Sequence, residues 1–159
     1  MQPNKPVVLV VDDDPVNLDI LVQTLEQDYF LIIAKNGKRA LDLAFSHHPD
    51  LILLDILMPE MDGFEVLAVM GKNKWLESIP VIIISARTQA ADKIVGLDAG
   101  ADGFIAKPFN PLEVTAQIRA LLRRRATDVA DALAAAGRTA PTADEARATA
   151  PSEGEASLP

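Results

Sequence analysis

The sequence predicts an α/β fold in which helices cover a five-stranded parallel β-sheet. Short apolar runs alternate along the chain with segments whose apolar residues recur at helical spacing, which is the pattern of a parallel sheet wrapped by helices. The runs contain almost no polar residues, as expected of strands that are buried on both faces. Polar residues instead follow the ends of the runs, and this indicates a functional edge of the sheet.

Five apolar runs are the predicted strands. The first reads VVLVV and stops immediately before Asp12, and the third reads LILL and stops immediately before Asp55. The fifth, GFIA, leads to Lys107. The predicted strands are residues 7–11, 30–34, 51–54, 81–84 and 103–106.

Five helices are predicted in the intervals and after the last strand. Pro15 suits a first helical turn, and Asn36 with Gly37 marks a turn before the second helix. The third helix is predicted over residues 63–71, the fourth ends at Gly100, and the fifth begins near Pro111. The apolar positions that indicate helices are Leu18, Leu21, Val22 and Leu25, then Ala40, Leu41, Leu43 and Ala44, then Ile94, Val95 and Leu97, then Val114, Ile118, Leu121 and Leu122.

Composition narrows the class of protein. A chain of 159 residues that is 49% apolar can bury the core of one domain. The absence of cysteine excludes disulfides, thiolate metal sites and a thiol nucleophile. No segment approaches the roughly 20 apolar residues of a membrane helix, so we expect a cytoplasmic protein without membrane contact. A net charge of -8 argues against direct nucleic-acid binding.

The last part of the chain has a different composition. Residues 126–159 are rich in alanine, threonine, proline and glutamate and contain no aromatic residue. We therefore expect the folded domain to span residues 1–125, with a helical extension over residues 128–136 and a disordered tail beyond Gly137. Arg123, Arg124 and Arg125 are typical of a helix C-terminus.

Five polar side chains lie at the ends of the predicted strands. Asp12 and Asp13 follow the first strand, Asp55 ends the third, Ser85 ends the fourth, and Lys107 follows the fifth. Any single aspartate there is explained well enough by N-capping of the next helix. Three carboxylates that converge on one edge would repel each other unless a cation lies among them. An all-oxygen set of this kind favours Mg²⁺, which takes few protein ligands and keeps several waters.

The segments VVDDD, LLDILMPEMDG, VIIISA and GADGFIAKPF, in this order, resemble the receiver domain of two-component response regulators. The resemblance covers residues 7 to about 125. It implies a doubly wound, flavodoxin-like sheet of strand order 2-1-3-4-5. It also implies that Asp55 takes a phosphoryl group from the phosphohistidine of a sensor kinase or a phosphotransfer protein.

The resemblance also assigns roles around Asp55. Mg²⁺ would be held by Asp13, Asp55 and the backbone carbonyl of Leu57, with Asp12 reaching it directly or through water. Lys107 would pair with a phosphate oxygen, and a cis bond between Lys107 and Pro108 would turn this lysine over the site. Such a protein modifies itself and later loses the phosphoryl group, so we expect no substrate that is turned over.

The predicted switch consists of Ser85, Ala86, Phe104 and Pro108. The Ser85 hydroxyl would donate to a phosphoryl oxygen and draw its loop inward, and the small side chain of Ala86 would leave room for that movement. Phe104 stands where the family has a tyrosine or phenylalanine whose ring turns inward. The simpler alternatives are that Ser85 caps a helix and that Phe104 belongs to the core.

The segment DKIVGLDAGADGFIAKPFNPLEV resembles the winged-helix transcription factor subfamily, whose receivers dimerise through the fourth helix, fifth strand and fifth helix. Lys93 and Glu113 match one intersubunit ion pair of that subfamily, but Gly103 and Gln117 replace a second Asp–Arg pair. We therefore expect a monomer or a weak dimer. Output would pass through another protein or through a domain outside these residues.

Two other classes compete with this interpretation. Asp12, Asp14 and Val16 fit the D-x-D-x-[TV] opening of haloacid-dehalogenase-type phosphatases, which would make the chain an enzyme. That hypothesis needs a later acidic pair, and it leaves Asp55 and MPEMDG unexplained. A pseudo-receiver that binds partners without phosphorylation is the second alternative, and the intact set of site residues argues against it.

Overall fold

The computed structural model describes residues 5–87 and 89–135, and it confirms the alternation of five strands and five helices in that part of the chain. The strands are β1 Val7–Val11, β2 Phe30–Ala34, β3 Leu51–Asp55, β4 Val81–Ser85 and β5 Gly103–Ala106. The helices are α1 Pro15–Leu25, α2 Gly37–His47, α3 Gly63–Gly71, α4 Ala90–Asp98 and α5 Pro111–Ala135. None of the helices in residues 5–87 and 89–135 is both long and apolar enough to cross a membrane.

The strands form one sheet of order β2-β1-β3-β4-β5, and all four pairings are parallel. The predicted strand order is therefore confirmed. The pairing register places Asp55 beside Ile84 and Ser85 beside Ala106. Because every strand runs in the same direction, the residues at and after the strand ends gather at one edge of the sheet.

Alternate residues of each central strand enter the two hydrophobic clusters of the core. In β3, Ile52 and Leu54 pack in one cluster with α2 and α3 side chains, whereas Leu51 and Leu53 pack in the other with α1 and α5. Burial of each such side chain stabilises the fold by roughly 1.5–3 kcal/mol. This packing fixes β1 and β3, and with them the aspartates at their ends.

The predicted ends of two strands differ from the observed ones. β3 includes Asp55 and β4 includes Ser85, so each strand is one residue longer than its predicted range, and these polar residues end their strands as the sequence indicates. Their backbone positions are therefore fixed by sheet pairing, since Asp55 is paired with Ile84 and Ser85 with Ala106.

The helix caps exclude the capping explanation for the polar residues at the strand ends. The N-caps are Asp14 for α1, Asn36 for α2, Asp62 for α3 and Gln89 for α4. None of them is Asp12, Asp13, Asp55 or Ser85. These four side chains are placed at the edge of the sheet for another reason.

The last helix is longer than the arginine run predicts. α5 continues to Ala135, so Arg123, Arg124 and Arg125 lie inside a helix, and the predicted helix end at these residues is wrong. α5 also includes residues 128–135, where the sequence predicts a helical extension. The described residues fall into two compact units that divide after Leu122. The tail predicted beyond Gly137 lies outside the described residues.

Candidate functional site

Three carboxylates meet at the edge of the sheet. The oxygen atoms of Asp12, Asp13 and Asp55 all lie within 4.8 Å of one another. Asp12 is 2% exposed and Asp55 is 3% exposed, whereas Asp13 is open to solvent. Two buried carboxylates and one exposed carboxylate make a site that is closed toward the protein and open on one side, and the donor set contains only oxygen.

Lys107 brings a positive charge into this group. Its Nζ lies 3.1 Å from Asp12 Oδ2 and 3.4 Å from Asp55 Oδ2. The residue follows β5, where its backbone N–H donates to the Ser85 carbonyl at 2.9 Å, and the peptide bond to Pro108 is cis. The cis bond that the resemblance implies is therefore present, and the exposed Pro108 follows a lysine that reaches the carboxylates.

The environment of Asp55 opposes its ionisation. Burial and, after it, the nearby Asp12 raise the pKa of the Asp55 carboxyl to about 6, against the opposing effects of Lys107 and of the Leu57 N–H. Burial also acts to lower the pKa of Lys107, but the carboxylates of Asp12 and Asp55 outweigh that effect and hold it above its usual value. Lys107 is therefore positively charged at neutral pH, and any further positive charge near Asp55 would favour its ionised form.

Short backbone contacts fix the carboxylates and the loop after β3. Asp12 Oδ1 accepts a hydrogen bond from the Asp14 N–H at 2.9 Å, and Asp55 Oδ1 accepts one from the Leu57 N–H at 3.4 Å. The loop returns closely to the strand at Gly63, where an added Cβ would lie 2.5 Å from the Asp55 carbonyl oxygen. The half-exposed Leu57 side chain therefore stands at the open side of a tightly held loop.

Ser85 is fully buried, and its hydroxyl takes part in a single hydrogen bond among the described residues. Its Oγ accepts from the Arg87 N–H at 3.0 Å, and no described residue accepts its hydroxyl proton. The proton is therefore available to an acceptor that enters the site. Ala86, next to it, is exposed.

The predicted switch ring lies under α4. Phe104 is half-buried on β5, its ring lies close to Gly96, and the Lys93 Nζ lies 5.9 Å from the ring centroid. The predicted interface residues Lys93 and Glu113 are both exposed. The Gln117 amide lies over Gly103, 2.8 Å from the place where a Cβ would be, and donates to Glu113 Oε2 at 3.4 Å.

Three features of the site region were not foreseen in the sequence. Asp14 is the cap of α1, and its side chain accepts from the Val16 N–H at 2.9 Å. Glu60 has a φ of 71° in the loop after β3. Arg87 forms an ion pair with Asp92 at 2.8 Å. The spacing of Asp14 ahead of Pro15 is a signal that could have identified the cap, whereas the other two depend on loop conformation.

The donor set suits a hard divalent cation. Mg²⁺ takes carboxylate and carbonyl oxygens and keeps several waters, which matches three aspartates that surround a partly open position. The raised pKa of Asp55, caused first by burial and then by Asp12, means that added positive charge would stabilise its ionised form. The residues therefore fit such an ion, and Leu57 lies next to them on the loop.

A protein-family model and curated relatives both match most of this chain. The family model of the response regulator receiver domain matches residues 8–119. The chain is 44% identical over 118 residues to the response regulator GtcR of Aneurinibacillus migulanus. It is 40% identical over 118 residues to the alkaline phosphatase synthesis transcriptional regulatory protein PhoP of Bacillus subtilis. Each alignment covers 74% of this chain and 48% of the relative, so the chain spans about half the length of these curated relatives.

The structural likeness extends over a whole solved domain. The receiver domain of the Francisella response regulator 1452 superposes with a TM-score of 0.71 at 34% identity. The match covers 76% of this chain and 98% of that domain. Fold and sequence therefore agree on the same family.

Proposed function

The chain belongs to the response regulator receiver domain family of two-component signalling, and on that premise we propose that Asp55 is its phosphoacceptor. The observation that carries the proposal is a buried Asp55 carboxylate with Lys107 Nζ at 3.4 Å and with Asp12 and Asp13 beside it. The domain model covers residues 8–119, and we extend the receiver domain to residues 1–125 on the basis of composition.

The proposed reaction is transfer of a phosphoryl group from a phosphohistidine. A carboxylate oxygen of Asp55 attacks phosphorus and forms a P–O bond while the P–N bond of the donor breaks. The electron pair of that bond returns to the imidazole nitrogen, which takes up a proton. Since negative charge spreads over the equatorial oxygens in a loose transition state, the protein contributes mainly position and positive charge.

Each polar group has a place in this reaction. Lys107 pairs with one phosphoryl oxygen, and its present distances of 3.1 Å and 3.4 Å to two carboxylates show how near it already lies. Asp12, Asp13, Asp55 and the Leu57 carbonyl would hold Mg²⁺. When bound, Mg²⁺ supplies charge neutralisation at the phosphoryl oxygens. The buried Ser85 hydroxyl donates its free proton to another oxygen.

The response to phosphorylation is expected at the surface formed by α4, β5 and α5. A phosphoryl group adds roughly two negative charges at the edge of the sheet. Ser85 moves toward the phosphoryl group, and the small Ala86 side chain leaves room for this movement. The Phe104 ring rotates inward at the same time, and the exposed surface of α4 changes as a result. α4 already exposes Ile94, Val95 and Leu97, which form an apolar surface for a partner.

Partners follow from the same chemistry. The donor is a sensor histidine kinase or a phosphotransfer protein. Output goes to a separate protein or to a domain outside these residues, because the aligned relatives are about twice as long. The cytoplasmic location predicted from the sequence stays a prediction.

Intact-mass measurement tests the phosphoacceptor. With Mg²⁺ and acetyl phosphate, the protein should gain the mass of one phosphoryl group, and Asp55→Asn should gain none, because an amide is not a competent nucleophile. Asp50→Asn, which changes a half-buried aspartate outside the cluster, serves as the matched control and should be modified like the wild type. Equal modification of Asp55→Asn would contradict the assignment.

The two alternative functions lack comparable support. The phosphatase hypothesis needs Asp14 as a catalytic partner of Asp12, but Asp14 is the N-cap of α1 and its carboxylate accepts from the Val16 N–H. A pseudo-receiver would not need the buried Asp55 and the two ion pairs of Lys107. Neither alternative explains the converging carboxylates as simply as phosphotransfer does.

A further inference from the structure

Arg87 contacts three different elements beside the site. Its backbone N–H donates to Ser85 Oγ at 3.0 Å, at the end of β4. Its Nη2 lies 2.8 Å from Asp92 Oδ1, in the first turn of α4. Its guanidinium carbon lies 6.0 Å from the centroid of the Phe64 ring, at the start of α3. One residue therefore connects the buried hydroxyl of the site, through its backbone N–H, with two helices, through its guanidinium.

The ion pair between Arg87 and Asp92 holds the first turn of α4, which its N-cap side chain does not hold. Gln89, the N-cap of α4, makes no side-chain hydrogen bond to the helix. The Asp92 side chain is 19% exposed although it lies in the first turn, and the Arg87 side chain that covers it is 48% exposed. The ion pair thus ties the first turn of α4 to the residues that follow β4.

We infer that Arg87 is a positioning residue that ties the Ser85 hydroxyl to the first turn of α4. The inference rests on the proposed function, in which Ser85 donates its proton to a phosphoryl oxygen. Any displacement of the hydroxyl toward the phosphoryl group pulls on the Arg87 N–H, and the guanidinium transmits that pull to Asp92. The chain thereby has a connection from the site to α4 that does not use Phe104.

The two connections reach α4 at different places. Phe104 lies against Gly96 and below Lys93, in the middle of the helix. Arg87 holds Asp92, in the first turn. Loss of Arg87 should therefore weaken the response of α4 while the chemistry at Asp55 continues, because among the described residues Arg87 makes no ion pair or hydrogen bond with Asp12, Asp13 or Asp55.

Backbone amide chemical shifts of the full chain test the inference. Beryllofluoride with Mg²⁺ mimics a phosphoryl group on Asp55, and its addition should shift the amides of Leu57 and Gly63 beside the site and those of Gly96 and Leu97 on α4. In Arg87→Ala, we expect the shifts on α4 to fall by roughly two-fold or more. The shifts of Leu57 and Gly63 should stay as in the wild type.

Matched variants distinguish the loss of the Arg87–Asp92 ion pair from a general loss of structure. Asp92→Asn should reproduce the loss on α4, and Arg87→Ala combined with Asp92→Asn should lose no more than either alone, since both changes break one contact. Arg87→Lys keeps a cation opposite Asp92 and should retain most of the response. Arg39→Ala removes an exposed arginine of α2 and should leave all the shifts unchanged.

Two results would overturn the inference. One is an unchanged response of α4 in Arg87→Ala, and the other is a loss in Arg87→Ala that Asp92→Asn does not share. Failure of the proposed function is distinguishable from both, because it would leave Leu57 and Gly63 of the wild-type protein without any shift.

Discussion

Asp55 is subject to two opposing demands. In the proposed role of nucleophile it would have to be ionised, yet it is 3% exposed and stands beside Asp12, and both conditions favour its protonated form. Lys107 offsets part of this cost by pairing with both carboxylates. Burial and Asp12 outweigh Lys107, so the pKa of Asp55 is about 6. The ionisation of Asp55 should therefore respond to pH and to added cations.

The pKa of Asp55 predicts how stability depends on pH when divalent cations are absent. The folded value of about 6 exceeds the ordinary value of 3.8, mainly because of burial, so the folded protein binds this proton more tightly than the unfolded chain does. The resulting stabilisation is complete below the unfolded pKa and is lost as the pH rises through the folded pKa. Thermal unfolding in EDTA should therefore show that the wild type loses stability relative to Asp55→Asn from about pH 4 to about pH 6, with little further loss above about pH 7. A pH-independent difference between the two proteins would contradict this.

A divalent cation should stabilise the folded protein. Bound Mg²⁺ would relieve the repulsion among Asp12, Asp13 and Asp55, and binding to the folded state alone would raise the free energy of unfolding by about 2.7 kcal/mol at 100-fold excess over its dissociation constant. Melting temperatures in EDTA and in Mg²⁺ measure the effect. Asp13→Ala should show a much smaller shift, whereas an equal shift in that variant would place the ion elsewhere.

At the scale of elements, the sequence was most informative about the strands and least informative about the loops. Continuous apolar runs identified all five strands, since burial on both faces leaves a strong signal. The observed ends of β3 and β4, at Asp55 and Ser85, lie one residue beyond the predicted ranges, because sheet pairing and not polarity decides where a strand stops. Likewise, the contact of Arg87 with Asp92 depends on the backbone path between them, which residue types alone do not fix.

The loop after β3 carries local strain that the sequence did not reveal. Glu60 has a φ of 71°, and the Met61 N–H donates to the Pro59 carbonyl at 2.8 Å, which is the hydrogen bond of a γ-turn centred on Glu60. A side chain in this conformation costs about 1–2 kcal/mol. The strain is held in place by the close packing of Gly63 against Asp55 and of Met61 against Gly37.

Replacement of the strained residue should stabilise the protein. Glu60→Gly removes the steric cost of positive φ and should raise the free energy of unfolding by about 1 kcal/mol, part of the gain being lost to the greater freedom of glycine in the unfolded chain. Denaturant titration measures the difference. Glu60→Ala keeps a Cβ and should bring no such gain, and equal stabilisation by both variants would mean that the Glu60 side chain, not its backbone, is unfavourable.

At the scale of the whole molecule, the question is whether two copies associate. Lys93 and Glu113 are exposed and available for an intersubunit ion pair, but a solvated pair contributes at most about 1 kcal/mol. Gln117 is turned toward Gly103 and Glu113, so this region carries a neutral amide where the related subfamily has a second ion pair. Association should therefore be weak.

Sedimentation should find a monomer without beryllofluoride and at most a loose dimer with it and Mg²⁺. The change in state is expected because the mimic alters the surface of α4, β5 and α5, which holds Lys93 and Glu113. Glu113→Lys should abolish the loose dimer, since it places like charges opposite each other. A tight dimer in both states would contradict the prediction.

The parallel sheet has a consequence for the newly made protein. Asp12 follows β1 and Lys107 follows β5, so the two residues are far apart in the sequence. Their 3.1 Å contact exists only when the intervening strands have paired. A nascent chain that has emerged only as far as β4 holds the three aspartates without their lysine. Since long-range pairing is the slow part of folding, Lys107 and the three aspartates that the proposed phosphotransfer needs come together only after β5 has paired, and a chain without β5 should not accept a phosphoryl group.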